Sequence, residues 1–189
     1  MIKDLRHYIH VQQEYFPKEL MDKTVSEMKS IDWQTHTFYN PNKEEFKPRS
    51  GEQELSVSWS DNVSTKNDIT KGLWKAIKNY QERLNFVWFD SWQGYSTVRF
   101  NKYETDTKMA LHKDHIHSLF DGDKKGIPIL SILTALNDNY EGGEFVMFDD
   151  YEIKLKTGDV LIFPSVFLYP HKVEPVKTGT RYTAISWTW

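Results

Sequence analysis

The chain has 189 residues, of which 39% are hydrophobic and 15% aromatic, a composition typical of a folded domain with a substantial core. It contains no cysteine, which excludes disulfides, thiolate zinc sites, iron–sulfur clusters and cysteine nucleophiles, so any metal needs nitrogen and oxygen ligands. The formal net charge of −3 provides no overall basic field for nucleic acid or an anionic membrane.

The start of the chain, MIKDLRHYIH, carries charges where a signal peptide needs an apolar stretch. The most apolar run, residues 160–169, is interrupted by Pro164 and is too short to span a bilayer. We therefore expect a soluble, cytoplasmic protein with no signal peptide and no membrane partner.

Two amphipathic helices are predicted in the first half of the chain. Apolar residues recur at helical spacing over 17–31, where Pro17 suits the first turn, and more regularly over 67–86, where Asn67 is a plausible N-cap. The apolar stripe of the second helix consists of Ile69, Leu73, Ile77, Tyr80 and Leu84. Both helices are expected to pack on the outside of the core.

Two polar segments are candidates for a mobile lid. Residues 40–61, between the two predicted helices, are rich in Lys, Glu, Pro and Ser, and long loops of this kind often cover binding sites. The turn around 121–126 is the second candidate.

From residue 92 onward the sequence changes to short β-branched and aromatic runs separated by turn residues. These runs cover residues 96–103, 129–136, 144–148, 152–155, 160–163 and 180–189. Their close spacing favours a barrel or jelly roll over alternating βαβ units. We predict one α+β domain, mainly β, in which residues 1–90 supply supporting helices and a lid loop and residues 91–189 form a double-stranded β-helix (jelly roll) core.

The densest cluster of potential metal ligands is the segment LHKDHIH. In an extended strand His112 and Asp114 project to one face. His115 and His117 project to the other. A His and a carboxylate from one strand, with a second His from a neighbouring strand, form a facial triad that leaves adjacent positions on Fe(II) open. His171 is the only histidine downstream, and the open positions suit a chelating 2-oxo acid together with O2.

Arg181 follows His171 by ten residues, in the strand-like run TRYT. Strand alternation places Arg181, Thr183 and Trp187 on one face. A guanidinium grips a carboxylate through two parallel hydrogen bonds, and a hydroxyl two residues further on can add a third donor. Arg181 and Thr183 therefore suit the distal carboxylate of 2-oxoglutarate.

Several passages between about residues 98 and 187 occur in an order typical of one enzyme family. YETDTKMALHKD leads into the proximal ligands, ALN through GGE is similar to a "YLN…GGE" passage, and KTGD through FPS is similar to a "GD…FPS" turn. His171 and Arg181 follow at the expected separation. The chain thus resembles the Fe(II)/2-oxoglutarate oxygenases of the prolyl 4-hydroxylase type.

The resemblance implies an enzyme that hydroxylates a substrate C–H bond with Fe(II), 2-oxoglutarate and O2, with ascorbate as a reductant. It implies that the hydroxyl group of Tyr103 binds 2-oxoglutarate and that Trp187 lines the pocket wall near the iron. It favours a peptide or protein substrate that contains proline.

The departures from the family pattern concern the substrate more than the iron. Met109 and Ala135 stand where tyrosines are usual, Phe145 replaces a common threonine, and Pro128 aligns with a substrate-contacting arginine. A non-prolyl or small-molecule substrate therefore stays open.

Three other functions are weighed against this one. A zinc hydrolase of the metallo-β-lactamase type needs the order His-x-His-x-Asp-His, which LHKDHIH reverses. A nucleic-acid demethylase typically carries a second arginine six residues after the first, where this chain has Trp187. A non-catalytic β-barrel binding module would not be expected to keep all three ligands and Arg181.

Two further groups of residues have ordinary structural interpretations. His115 and His117 could bind substrate or a second metal, but we expect polar residues on the outer face. Trp88, Trp92 and Tyr95 could form a substrate platform, although in so aromatic a chain we expect core residues.

Overall fold

The computed structural model describes residues 4–40, 45–48, 53–85, 94–114 and 128–189. In these ranges the chain forms a short 3-10 helix, Leu5–Tyr8, and two α-helices, α1 Lys18–Met28 and α2 Lys66–Leu84. The strands are β1 His10–Gln12, β2 Gln34–Thr35, β3 Phe38–Asn40, β4 Glu45–Lys47, β5 Ser56–Ser58, β6 Arg99–Tyr103, β7 Met109–His112, β8 Leu130–Ala135, β9 Glu141–Gly142, β10 Phe145–Met147, β11 Tyr151–Ile153, β12 Val160–Pro164, β13 His171–Val173, β14 Val176–Thr178 and β15 Arg181–Thr188.

Two antiparallel sheets form the body of the protein. The larger has seven strands in the order β1-β12-β8-β15-β6-β5-β2, and the smaller has four in the order β11-β10-β13-β7. Two further pairs, β14 with β9 and β3 with β4, lie outside these sheets. The described chain is thus mainly β with two helices, in a jelly-roll-like arrangement, which confirms the predicted fold class.

The larger sheet is covered on both faces. In β8, Ile132 belongs to a core shared with the helices, whereas its neighbour Leu133 belongs to a core shared with the smaller sheet. In β12, Ile162 and Leu161 divide in the same way. Because both faces are buried, β12 has a continuous apolar sequence, and in β8 only Ser131 and Thr134 interrupt the apolar residues.

Helix α2 packs its predicted apolar stripe against the larger sheet, and all five stripe residues are buried. The predicted N-cap Asn67 was wrong, because the helix begins at Lys66 with Thr65 at the N-cap position. Helix α1 begins directly after Pro17. No helix in the described ranges has the length and apolarity needed to cross a bilayer.

Where the structure describes it, the predicted loop over 40–61 contains the short strands β4 and β5, and its role as a lid stays a prediction. Strand β5 lies in this segment and pairs with β6, with Val57 almost fully buried. Strand β1 also joins the larger sheet, so the sheet is not confined to residues 91–189. The parts of the first lid candidate at 41–44 and 49–52, and the whole second candidate at 121–126, lie outside the described residues.

The turn before β12 requires a glycine at position 158. Gly158 has a φ of +87°, and a Cβ there would collide with the carbonyl oxygen of Phe16, whose N–H donates to the Gly158 carbonyl. We expect Gly158→Ala to lower the free energy of unfolding by about 1–3 kcal/mol, the usual cost of a strained backbone. Urea denaturation measures this loss, with exposed Lys156→Ala as the control; equal midpoints for the two variants would contradict it.

Candidate active site

Two imidazoles meet between adjacent strands of the smaller sheet. β7 pairs with β13 so that His112 lies directly opposite His171, with their ring centroids 4.3 Å apart. His171 is only 3% exposed. Residues far apart in the sequence are thus brought together by one antiparallel ladder.

Asp114 follows β7 and turns its carboxylate toward both imidazoles. Its Oδ1 atom lies 3.4 Å from His112 Nε2 and 3.7 Å from His171 Nε2. One ligand atom from each of the three residues lies within 4.8 Å of the others. The structure therefore brings together the three residues predicted as metal ligands.

Backbone carbonyls fix the orientation of both rings. His112 Nδ1 lies 2.9 Å from the carbonyl oxygen of Ala110, and His171 Nδ1 lies 3.1 Å from that of Tyr169. When each Nδ1 carries the proton and donates it to the carbonyl, each Nε2 presents a lone pair to the space beside Asp114. This is the tautomer that a metal ligand needs.

Aromatic rings hold His171 in place from two sides. Phe145 stacks on the imidazole at 5.2 Å, and Phe163 meets it edge-on at 4.9 Å. Phe145 is thus a wall of the cluster, at the position where the family pattern commonly has threonine.

The protonation of the cluster suits metal binding. Burial, together with His112, lowers the pKa of His171 to about 4, so this ring is neutral near pH 7. Burial by itself raises the pKa of Asp114, but His171, His112 and a hydrogen bond from Ser131 together hold it well below its usual range. An ionised carboxylate beside a neutral imidazole is ready to bind a cation.

The separations in the cluster fit a single metal ion. Two ligand atoms bound at about 2.1 Å and at right angles lie about 3 Å apart, so small side-chain rotations would bring the three atoms onto one ion. Ser131 Oγ donates to Asp114 Oδ2 at 2.6 Å, which leaves Oδ1 as the oxygen that faces the imidazoles. Nitrogen and oxygen donors in this number match a two-histidine, one-carboxylate iron site.

Arg181 enters the same pocket from β15. It is 2% exposed, its Nε atom has no hydrogen-bond partner, and no carboxylate of the described residues lies within salt-bridge distance of it. Gly143 leaves room for it, since a Cβ there would lie 3.0 Å from Arg181 Cδ. A buried guanidinium without an anion is costly, so the arrangement indicates an anionic ligand.

Tyr103 and Thr183 line the same pocket as Arg181. Tyr103 lies opposite Arg181 in the β6–β15 ladder, and its ring centroid is 4.8 Å from the guanidinium carbon. Burial raises the pKa of Tyr103 although Arg181 opposes the shift, so its hydroxyl group keeps its proton and can donate. These positions agree with the predicted cradle for a carboxylate.

Trp187 was predicted to line the pocket wall near the iron, and that role stays a prediction. It is not among the described residues that line the pocket, and its ring lies against the guanidinium of Arg99 at 4.9 Å. Sequence reasoning missed both Arg99 and Ser131. Strand alternation from Tyr103 could have indicated Arg99, whereas the role of Ser131 depends on how β8 lies beside Asp114.

The other aromatic and histidine candidates do not join this cluster in the described chain. Tyr95 was expected in the core, but it is 37% exposed and contacts Trp74 at 4.5 Å. That prediction was wrong, because the residue lies on the surface before β6. Trp88, Trp92, His115 and His117 lie outside the described residues.

A larger cavity lies elsewhere, between α2 and the start of β8. It has a volume of about 310 Å³ and an almost wholly apolar lining that includes Ile77, Leu84 and Leu130. None of the described residues around it is a His, Asp or Glu. The smaller polar pocket that holds the His112 cluster is therefore the candidate active site.

Residues 98–189 match the model of the 2OG-Fe(II) oxygenase superfamily. This match covers just under half of the chain. The matched part is similar to PKHD-type hydroxylases of Aliarcobacter butzleri, at 38% identity over 95 residues, and of Stenotrophomonas maltophilia, at 34% over 98. These matches cover 47% and 49% of this chain and 41% and 43% of the relatives, so the chain spans about two fifths of the relatives' length.

Solved structures of prolyl hydroxylases share the fold of this chain. A prolyl-4-hydroxylase of Pseudomonas putida superposes with a TM-score of 0.65 at 18% identity, covering 96% of this chain and 91% of that one. A prolyl hydroxylase of Trichoplax adhaerens, in complex with a peptide fragment of the hypoxia inducible factor oxygen degradation domain, gives 0.70 at 14% identity, covering 96% and 83%. At such identities the likeness establishes the fold alone.

The hydrogen bond from Ser131 to Asp114 gives a testable prediction for the candidate metal site. We expect Ser131→Ala to raise the Kd for Mn(II) by about 10–100-fold, the usual cost of removing a group that orients a metal ligand. Mn(II) titration followed by electron paramagnetic resonance measures it. Ser186→Ala is the control, because that buried serine bonds to Ser96 on the opposite face of the sheet; equal affinities in the two variants would contradict the role of Ser131.

Proposed function

We propose that this protein is an Fe(II)- and 2-oxoglutarate-dependent dioxygenase that hydroxylates a substrate C–H bond. The single observation that supports it most is one pocket holding both the His112–Asp114–His171 cluster and the buried guanidinium of Arg181. The superfamily match over residues 98–189 names the same metal and co-substrate.

The protein's residues have separate tasks in this proposal. Nε2 of His112 and His171 and Oδ1 of Asp114 hold Fe(II), while the carbonyl oxygens and Ser131 keep these ligands oriented. When bound, Fe(II) and 2-oxoglutarate together activate O2 for insertion of oxygen into a C–H bond. Asp114 supplies the negative charge that partly balances the cation.

Co-substrate binding is assigned to the other end of the pocket. Arg181 grips the distal carboxylate of 2-oxoglutarate through two parallel hydrogen bonds, and Tyr103 and Thr183 add hydroxyl donors. The apolar residues around them, such as Leu133 and Ile185, exclude water and strengthen these bonds. The wall role of Trp187 and the use of ascorbate stay predictions.

We propose a peptide or protein substrate, with a peptidyl proline as the first candidate. Its support is the likeness to prolyl hydroxylases, one of which is described with a bound peptide. A non-prolyl or small-molecule substrate is the second possibility, because Pro128 stands where the resemblance expects a substrate-contacting arginine.

The test is reconstitution without oxygen, using Fe(II) and 2-oxoglutarate, followed by admission of oxygen in the presence of proline-containing peptides. Iron-dependent conversion of 2-oxoglutarate to succinate tests the enzyme class, and a peptide mass gain of one oxygen atom tests the substrate. Zinc restoring activity to metal-free protein, or no succinate with any peptide or without one, would contradict the proposal.

A further inference from the structure

A second guanidinium enters the candidate active site from β6. Arg99, Asn101 and Tyr103 alternate along this strand, and all three line the pocket. Tyr103 pairs with Arg181 on β15, whereas Arg99 pairs with Ile185. The backbone positions of the two arginines are therefore four residues apart along the β6–β15 ladder, which is about 13 Å at a rise of about 3.3 Å per residue.

Arg99 belongs to the metal end of the pocket. Its guanidinium lies against Trp187, which pairs with Ser131 on β8, and Ser131 donates to Asp114. Arg181 lies at the opposite end of the β6–β15 ladder. A co-substrate whose distal carboxylate is held by Arg181 does not need Arg99 for that carboxylate.

The donors of Arg99 are only partly used. Its Nε atom donates to Asn101 Oδ1 at 3.0 Å, and neither Nη group has a hydrogen-bond partner or an acid within salt-bridge distance among the described residues. Asp114 is the sole acid of the described pocket lining; Ser131 donates to its Oδ2, and in the proposed function its Oδ1 holds the metal. Burial lowers the pKa of Arg99, although Tyr103 and Asp114 oppose the shift.

We propose that the Nη groups of Arg99 bind a carboxylate of the primary substrate and hold the neighbouring carbon near the metal. This inference rests on the proposed function and adds the substrate class: an acid, which is either a free amino acid or a peptide with its carboxylate next to the reacting residue. A planar guanidinium with two unused NH2 groups matches a carboxylate in shape and charge. The ring of Trp187, which lies against the guanidinium of Arg99, restricts the orientation of that guanidinium.

The test measures binding of matched acids and amides by calorimetry, with Mn(II) and 2-oxoglutarate bound and oxygen excluded, so that no turnover occurs. The free amino acid arm compares L-proline with L-prolinamide. The peptide arm compares N-acetyl-Gly-L-proline with its amide, and a Pro-Asp with a Pro-Asn peptide. We expect at least one of these acids to bind about 10-fold or more tighter than its amide, because the amide leaves a partly buried charged donor unpaired.

Arg99→Gln should abolish that preference while leaving the Kd for 2-oxoglutarate within about twofold of the wild type. Arg99→Lys keeps the positive charge but not the planar pair of NH2 groups, so it should retain a reduced preference for the acid over the amide. This variant replaces Arg99→Gln in the test if the glutamine variant does not fold. The matched control is Lys102→Gln, which removes a cation from the outer face of the same strand, where Lys102 lies over Trp33.

Two results would overturn the inference: no acid in either arm binds tighter than its amide, or Arg99→Gln weakens 2-oxoglutarate as much as it weakens the acid. The second result would place a co-substrate carboxylate at Arg99. Succinate formation by the wild type is a separate readout. Succinate with no acid preference contradicts the Arg99 inference alone, and an Arg99-dependent preference without succinate contradicts the proposed function alone.

Discussion

His171→Ala should abolish Fe(II)-dependent succinate formation while leaving the fold intact. The imidazole is one of three groups that converge on the candidate metal position, and His112 is the only other histidine of the described chain in that cluster. The loss of succinate formation should exceed the roughly 10–100-fold loss that follows removal of a residue that only orients a metal ligand. Succinate assays at saturating 2-oxoglutarate measure it, alongside Mn(II) binding.

The control for this prediction must separate metal loss from unfolding. His171 packs between Phe145 and Phe163, so its removal also leaves a small cavity. Circular dichroism and the thermal midpoint should therefore accompany the assay, and His10→Ala on β1 provides a half-buried histidine away from the cluster. A His171→Ala protein that keeps most of its succinate formation would show that His171 is not a ligand.

Arg181→Gln should raise the apparent KM for 2-oxoglutarate far more than it changes kcat at saturation. Removing one partner of a buried charge pair costs about 2–5 kcal/mol, or roughly 30- to several-thousand-fold in affinity. The turnover number should change little, because Arg181 is not one of the three clustered ligand residues. Initial rates over a wide range of 2-oxoglutarate concentration measure both constants.

Arg181→Lys should fall between the wild type and the glutamine variant, because it keeps the charge but cannot form two parallel hydrogen bonds. Lys102→Gln controls for the loss of a positive charge on a neighbouring strand. An unchanged KM in Arg181→Gln would remove Arg181 from the co-substrate site. A fall in kcat alone would instead place Arg181 beside the reacting atoms.

The strands of the second half were predictable because their patterns are local. β8, β12 and β15 are long enough, and rich enough in β-branched and aromatic residues, to be identified from composition and bounding turns. The stripe of α2 was predictable for the same reason, since five apolar residues at helical spacing define a buried face.

The short strands of the first half were not predictable in this way. β1 and β5 have three residues each, too few to show a period, and β5 lies in a polar segment. Their strand conformation depends on pairing with β12 and β6, which are distant in the sequence. Pairing overrides local propensity in such strands, so the segment around β5 resembled a loop.

The residues of the candidate site also divide into those that the sequence could predict and those that it could not. His112, Asp114 and His171 could be identified because their spacing suits a facial triad, and the β7–β13 register brings them together. Ser131 and Arg99 could not be assigned a partner from the sequence, because the contacts of both cross between strands. The register of a ladder, not residue type, determines what these two side chains meet.

The most direct measurement is a crystal structure grown without oxygen in the presence of Mn(II) and 2-oxoglutarate, with the metal located by anomalous scattering. We expect one ion in contact with Nε2 of His112, Nε2 of His171 and Oδ1 of Asp114, with the distal carboxylate of 2-oxoglutarate on Arg181. An ion bound away from these three atoms, or a co-substrate whose distal carboxylate avoids Arg181, would contradict it.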